Sequence, residues 1–214
     1  MSHYDIIIIT PGSSMVAEYV TSLTKTLSQL NHSYKWLSGY SSLVHNAREI
    51  SMGGDKRLDP NDRGPLHGNC TYSTIVWIDS DICWEPDDFS RLLKSPYPIT
   101  TGAYLLADGT TSSIHTPAYP GGLPKSEVKW LTDYVEVDAA GFGFIAIKSG
   151  VFEKIPRPWF GMLNQRIYDD NKTEVVISVG EDISWCVKAQ QAGYKVMFDP
   201  RILVGHVKSN IVRW

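Results

Sequence analysis

The feature that most constrains the fold is a run of β-branched residues near the start of the chain, YDIIIIT at residues 4–10. Apolar and polar residues do not alternate in this run, which is typical of a strand buried on both faces of a parallel sheet. The run is followed by an amphipathic helix that begins at Ser13 or Ser14, then by a strand at 34–37 and a helix at 41–52. This βαβα order predicts an α/β fold with helices on the faces of a central, mostly parallel sheet.

The rest of the sequence extends the same pattern. Further strands are predicted at 72–78, 99–106, 134–137, 142–148 and 195–198, and further helices at 86–94 and 180–192. Stretches rich in glycine, proline and polar residues predict loops at 53–69, 108–127 and 161–178. The 214 residues suffice for one domain with a sizeable core, so we expect a single domain over 1–214.

Composition limits the partners and the location. Lys and Arg number 20 against 23 Asp and Glu, so the chain has no general basic field for a nucleic acid, and no such partner is expected. No apolar run approaches the roughly 20 residues of a transmembrane segment, and no secretory signal is visible. Three cysteines at wide spacing fit neither a disulfide framework nor a zinc pair. We therefore expect a cytoplasmic protein without a transmembrane segment.

Two carboxylates, Asp79 and Asp81, directly follow the strand predicted at 72–78. Ligands of open α/β sheets bind outside the carboxyl ends of the strands, so these side chains face the expected binding crevice. Residues i and i+2 of an extended segment project to the same side and can share a hard cation. An ordinary surface turn is the alternative interpretation, because Asp is common in loops.

Three more residues carry candidate chemistry. Glu181 and Asp182 open the helix predicted at 180–192, where a carboxylate either caps free N–H groups or acts as a general base. Because the two are neighbours, they can divide these roles. His206 follows a strand-like run, and an imidazole beside a carboxylate suits Mn²⁺ better than Ca²⁺. A structural histidine is the alternative.

The ordered set of motifs resembles the GT-A glycosyltransferases, close to the family 2-like group. The motifs are IIIITPG, Ala47-Arg48, WIDSD, GFGF, GEDISWCVKAQQAGYKVMFDP and a late Gly-His, and the resemblance runs from residue 5 to residue 206. It implies a Rossmann-like α/β sandwich that binds a nucleotide-diphosphate sugar and a divalent cation, Mn²⁺ or Mg²⁺. The sugar would be transferred to a hydroxyl of a carbohydrate or another acceptor.

The resemblance also implies a role for each candidate residue. Asp81 and His206 would bind the metal that bridges the two phosphates, while Asp79 would contact the metal's water shell or the ribose. Asp182 would be the base of an inverting transfer, and Glu181 would orient the sugar or the acceptor. The remaining matched residues would surround the nucleotide, the diphosphate and the donor sugar: Thr10, Pro11, Gly12, Arg48, Gly141 and Gly143.

Two other functions fit parts of the pattern. A nucleotidyltransferase acting on sugar phosphates also binds nucleotide and metal at strand ends, but it usually has a basic loop after its first strand, and TPGSSMVAEY at 10–19 contains no Lys or Arg. A non-catalytic sugar-binding module would not need all of the carboxylate and histidine motifs together.

The predicted loops at 53–69 and 161–178 are candidate covers that exclude water from the donor. Four aromatic residues could stack on sugar faces or belong to the core: Trp130, Trp159, Phe160 and Trp185.

Overall fold

The computed structural model describes residues 1–53, 64–168 and 173–208. Its strands are β1 (Ser2–Pro11), β2 (Tyr34–Gly39), β3 (Cys70–Ile78), β4 (Ile82–Cys83), β5 (Ile99–Ala103), β6 (Ile114–His115), β7 (Val135–Val137), β8 (Ala139–Ala140), β9 (Phe144–Lys148), β10 (Leu163–Tyr168), β11 (Glu174–Val179), β12 (Val196–Leu203) and β13 (Gly205–His206). Its α-helices are α1 (Ala17–Gln29), α2 (Val44–Ser51), α3 (Pro86–Lys94), α4 (Lys125–Val128) and α5 (Glu181–Gln191), with a short 3₁₀ segment at Pro65–Gly68.

Seven strands form the central sheet, in the order β2-β1-β3-β9-β5-β12-β7. Strands β2, β1, β3, β5 and β12 run in one direction, whereas β9 and the edge strand β7 run in the other. The predicted α/β fold and the mostly parallel sheet are thereby confirmed.

The isoleucine run of β1 is buried on both faces of this sheet, as its lack of alternation predicts. Ile7 and Ile9 belong to one apolar core, whereas Ile6 and Ile8 belong to another on the opposite face. Helices α1 and α3 contribute to the second core, and α5 contributes Trp185 to the first. The sheet is therefore the middle layer of a sandwich, and its strand ends are left free to carry a site.

Helix α3 matches its prediction residue for residue. Pro86 occupies its first turn, and a reciprocal capping box joins the backbone and side chains of Glu85 and Asp88. Helix α1, by contrast, begins at Ala17, so the prediction that Ser13 or Ser14 caps it was wrong. The backbone N–H of Val16, the N-cap residue, donates instead to the carbonyl of Ser80, which fixes the chain entering α1 beside the end of β3.

Two predicted loops contain regular structure. The loop predicted at 161–178 includes the antiparallel hairpin β10–β11, and the one at 108–127 includes β6 and the start of α4. Most of the loop predicted at 53–69 lies outside the described residues. Within the described part of the chain, no helix is long and apolar enough to cross a membrane.

Candidate active site

Asp81 and His206 are brought together by two short strands. Strand β4 follows Asp81 and pairs with β13, so that His206 lies opposite Ile82. The Nε2 atom of His206 is 3.1 Å from Oδ2 of Asp81, and Nζ of Lys208 is 3.0 Å from the same oxygen. The backbone N–H of Val207 also donates to the carbonyl of Asp81. The fold thus unites two residues predicted to bind metal, and adds a lysine that the sequence analysis did not single out.

The contacts between Asp81, His206 and Lys208 favour the ionised form of the Asp81 carboxyl and the protonated form of the His206 imidazole. Burial opposes the charge on Asp81, but hydrogen bonds from His206 and Lys208 outweigh it and lower the pKa of the carboxyl to about 2. The hydrogen bond with Asp81 in turn raises the pKa of His206, although burial opposes this. Asp81 is therefore ionised at neutral pH and attracts cationic partners.

The donor atoms fit a borderline divalent cation. Nδ1 of His206 donates to the carbonyl of Leu105 at 2.7 Å, so loss of the other ring proton leaves the Nε2 lone pair directed toward Asp81. Among residues 1–53, 64–168 and 173–208, no group of three or more His, Cys, Asp or Glu side chains is arranged around one point. A cation held by Asp81 and His206 would take its other ligands from water or from substrate phosphates, as Mg²⁺ sites do.

Arg48, predicted to contact the donor, lies in the protein interior and is 3% exposed. Its Nη2 atom is 3.0 and 3.1 Å from the two carboxylate oxygens of Asp79, and its Nε donates to Glu181 at 3.2 Å. The guanidinium packs against the rings of Trp77 and Phe142, at 5.8 and 5.3 Å. Burial opposes its charge, but the two carboxylates outweigh burial and raise its pKa. Arg48 therefore ties the loop after β3 to the start of α5.

Asp182 neighbours Glu181 of this ion-pair network, but in the described part of the chain its carboxyl is not itself paired with a cation, and its pKa is raised. Its Oδ1 accepts a hydrogen bond from the backbone N–H of Ile183 at 2.8 Å, and it makes no ion pair within the described residues. Burial raises its pKa, and the charge of Glu181 adds to the effect. A partly buried carboxyl that holds its proton more tightly than usual is a stronger base once ionised.

A cleft of about 330 Å³ lies over the end of β1 and the loop after β3. Its lining residues are Pro11, Ser14, Met15, Val16, Val44, Asp79, Ser80 and Asp81. Thr10 lies below it, fully buried, with its hydroxyl bonded to the hydroxyl of Tyr19 and accepting the indole N–H of Trp36. Gly12 has φ +142° and its Cα faces Ser80, a close approach that a side chain would obstruct. The cleft joins an apolar wall to the two aspartates.

Gly141 and Gly143 share one neighbour, Tyr104, which the sequence analysis did not single out. A Cβ atom at either glycine would overlap the phenol of Tyr104. The ring of Tyr104 also packs edge-on against His206, with 5.0 Å between ring centroids. Burial raises the pKa of Tyr104, and the charges of Asp79 and Asp182 raise it further. Tyr104 therefore lies between the histidine, the glycines and the acidic residues of the site.

Three of the four aromatic candidates for sugar stacking belong to the core. Trp159, Phe160 and Trp185 are at most 2% exposed and pack within the larger apolar cluster. Stacking of a substrate on them is excluded, because their faces are covered by other side chains. Trp130, by contrast, is 73% exposed.

The comparisons with known proteins find similarity in structure alone. No protein-family model matches the chain, and no curated protein matches its sequence. The solved structure of A197 from STIV is 19% identical over 98% of this chain and 97% of that one, with a TM-score of 0.55. The catalytic domain of Drosophila beta1,4galactosyltransferase 7, in complex with xylobiose, is 13% identical over 98% and 72%, with a TM-score of 0.50.

A third similar structure is GalNAc-T7 with UDP, GalNAc and Mn²⁺, which is 13% identical and has a TM-score of 0.50. The match covers 96% of this chain but 43% of that one, so this chain spans less than half of the length of GalNAc-T7. At these identities the likeness establishes the fold. The α/β sandwich is that of GT-A glycosyltransferases, as the sequence motifs imply.

Proposed function

We propose that this chain is a metal-dependent glycosyltransferase, related to the family 2-like group, that moves a sugar from a nucleotide-diphosphate sugar to an acceptor hydroxyl. The observation that carries the proposal is a pair of carboxyls with opposite electrostatics near the end of β3. Asp81 has a pKa lowered to about 2 and is therefore ionised at neutral pH, whereas burial raises the pKa of Asp182. One suits a cation and the other suits a transferable proton. The GT-A fold, shared with a structure that holds UDP and Mn²⁺, supports this division.

The nucleotide of the donor would occupy the cleft over β1, with Pro11 in its wall and Thr10 and Gly12 supporting the wall from the end of the strand. The donor sugar would lie beside Gly141 and Gly143. Both glycines leave room for a buried tyrosine ring, and this packing holds their backbone in a fixed position. The acceptor, a carbohydrate or another hydroxyl compound, would present its hydroxyl to Asp182.

The diphosphate would be bound at Asp81 and His206. A divalent cation there, Mn²⁺ or Mg²⁺, would neutralise the negative charge that develops on the departing nucleoside diphosphate. Lys208, whose Nζ is 3.0 Å from Oδ2 of Asp81, would add a positive charge beside the diphosphate once the cation takes that oxygen. Asp79 would complete the water shell of the cation or contact the ribose, with its position set by Arg48.

Asp182 would remove the proton of the attacking hydroxyl, and the anomeric configuration would be inverted. Its hydrogen bond from the N–H of Ile183 holds the carboxyl at the start of α5. Glu181, whose Oε1 is engaged by Arg48, would orient the sugar or the acceptor with its other oxygen. General-base assistance of this kind typically contributes about 10²- to 10⁴-fold in rate.

A thermal-shift panel of nucleoside diphosphates, with and without Mn²⁺, tests donor binding, because a ligand that binds only the folded state raises its apparent stability. We expect one nucleotide to raise Tm only when Mn²⁺ is present. Asp81→Asn should abolish this shift, whereas Asp133→Asn, a control at an exposed aspartate, should preserve it. A metal-independent shift, or none with any nucleotide, would contradict the proposal.

Product analysis separates the alternatives. Transfer from the donor that binds should give an inverted anomer by NMR. A nucleotidyltransferase would instead release pyrophosphate from a nucleoside triphosphate and a sugar phosphate, and a binding module would bind sugar without turnover.

The proposal takes 1–214 as one catalytic domain in the cytoplasm, and the free thiols of Cys70, Cys83 and Cys186 fit a reducing compartment.

A further inference from the structure

A second concavity, which the proposed mechanism does not use, opens beside the candidate active site. It has a volume of about 620 Å³, within the range of roughly 300 to 1,000 Å³ that small-molecule sites occupy. One wall is the carboxyl end of β12 with Leu203 and Val204, and the other is α4 with Val128. We call it the α4 groove. Its lining is mostly apolar, and Leu203 is 56% exposed there.

Backbone hydrogen bonds fix both walls of the α4 groove. The N–H of Val204 donates to the carbonyl of Ala103, and the N–H of Lys125 donates to the carbonyl of Thr110. These bonds fix the strand wall and the helix wall separately. A groove of this kind is preformed, so a ligand need not order it on binding.

The rim of the groove is positively charged. Lys125 and Lys129 line it, both are exposed, and neither makes an ion pair within the part of the chain that the structure describes. The amine of Lys129 lies 4.9 Å from the ring centroid of the exposed Trp130, which holds the charge near the rim. The net charge of the chain is −3, yet the apolar α4 groove carries two lysines that make no ion pair within the described residues. This combination suits a ligand with an apolar chain and an anionic group.

The floor of the groove reaches the candidate active site through two residues. Tyr104 lines the groove and also packs against His206 and the two glycines. Leu105 lines it too, and its carbonyl accepts the hydrogen bond from Nδ1 of His206. A molecule seated in the groove would therefore end beside the residues proposed to bind metal and donor.

We propose that the α4 groove binds the acceptor, and that the acceptor is an anionic amphiphile. Its apolar chain would lie along Leu203 and Val128, its anionic group would pair with Lys125 and Lys129, and its hydroxyl would point past Tyr104. This inference rests on the proposed function, since it assigns the acceptor class of that same reaction.

Binding is measured by titration calorimetry with decyl phosphate, with decyl glucoside as a neutral amphiphile and with inorganic phosphate alone. We expect both amphiphiles to bind the wild-type chain and inorganic phosphate to give no heat. Leu203→Asp should weaken both amphiphiles about tenfold or more, because it removes an apolar contact and places a hydrated carboxylate against the alkyl chain that the two share. The paired change Lys125→Ala with Lys129→Ala should weaken decyl phosphate and leave decyl glucoside unchanged. Val20→Asp, a control at an exposed valine on α1, should change neither.

The results separate this inference from the proposed function. If a nucleotide with Mn²⁺ raises Tm but decyl phosphate does not bind, or binds Leu203→Asp as well as wild type, the groove is not the acceptor site and the glycosyltransferase proposal stands. If decyl phosphate binds as expected but no nucleotide shifts Tm, the acceptor role is overturned together with the proposed function. Each variant is also checked for the nucleotide shift, which a change confined to the groove should preserve.

Discussion

Replacing Arg48 with methionine should destabilise the protein strongly, because the guanidinium is the shared partner of two carboxylates. Asp79 meets it at 3.0 and 3.1 Å and Glu181 at 3.2 Å, and the arginine side chain is only 3% exposed. Removing one partner of a buried ion pair typically costs about 3–5 kcal/mol, because the remaining charge is left without compensation. For a chain of this size, about 2–4 °C of Tm per kcal/mol converts this to a Tm lower by about 6–20 °C.

Urea unfolding followed by tryptophan fluorescence measures the difference in unfolding free energy. Arg91→Met, the same change at an exposed position on α3, is the control and should stay within about 0.5 kcal/mol of wild type. The resemblance to glycosyltransferases implies instead that Arg48 contacts the donor. If Arg48→Met unfolds within about 1 kcal/mol of wild type and loses only the nucleotide-dependent Tm shift, the guanidinium serves the ligand and the interpretation as an internal tie is refuted.

Three further predictions concern the site. Asp182→Asn should keep the nucleotide-dependent Tm shift but lower the rate of transfer about 10²- to 10⁴-fold. As the pH is lowered, the wild-type rate should begin to fall above the ordinary aspartate pKa, because burial raises the pKa of this base. A fall in rate centred near pH 3.8 would contradict this. His206→Ala should weaken Mn²⁺ binding at least tenfold by calorimetry, whereas His32→Ala at an exposed position should leave it unchanged. Gly141→Ala should cost about 1–3 kcal/mol in urea unfolding through overlap with the hydroxyl of Tyr104, and adding Tyr104→Phe should restore part of the loss; no recovery would show that the strain lies elsewhere.

The pKa of Asp182 also predicts a change in stability. A folded-state pKa above the unfolded value means that the folded chain binds more protons, so stability falls as pH rises from about 3.8 through the raised pKa. Asp182→Asn removes this penalty while its amide oxygen can still accept the N–H of Ile183. The inactive variant should therefore be more stable than wild type at neutral pH, a trade between stability and activity that is common at catalytic groups.

Local sequence patterns predicted the helices and strands whose formation depends on their own residues. The isoleucines of β1 need burial on both faces whatever surrounds them, and Pro86 with its flanking acids determines where α3 begins. The hairpin β10–β11 was missed because its polar residues and flanking turn formers outweigh its partial alternation. The start of α1 was misplaced because its N-cap residue is held by a backbone contact with Ser80, 64 residues further along the chain, which no local pattern contains.

The residues of the candidate site also differ in whether local sequence could predict them. Asp81 and His206 could be named because their residue types and positions suggest metal binding, yet their pairing depends on β4 meeting β13 across more than 120 residues. The partners of Arg48 lie 31 and 133 residues away, so its burial could not be derived from its own helix. Tyr104 carries no motif at all; the close approach of two glycines could have indicated a bulky neighbour, but not which one.

The proposed function would require this chain of net charge −3 to bind a diphosphate, so the partners of its cationic side chains matter. The guanidinium of Arg48 pairs with Asp79 and Glu181 in the protein interior, whereas His206 and Lys208 both contact Asp81. Asp182 makes no ion pair within the described residues, and the charge of Arg48 offsets only part of the effect of its burial. Burial and the charge of Glu181 raise the pKa of Asp182, whereas hydrogen bonds with His206 and Lys208 lower that of Asp81 to about 2. The two proposed roles, cation binding and proton removal, would thus follow from the burial and the charged neighbours of each carboxyl, since the two aspartate side chains are chemically identical.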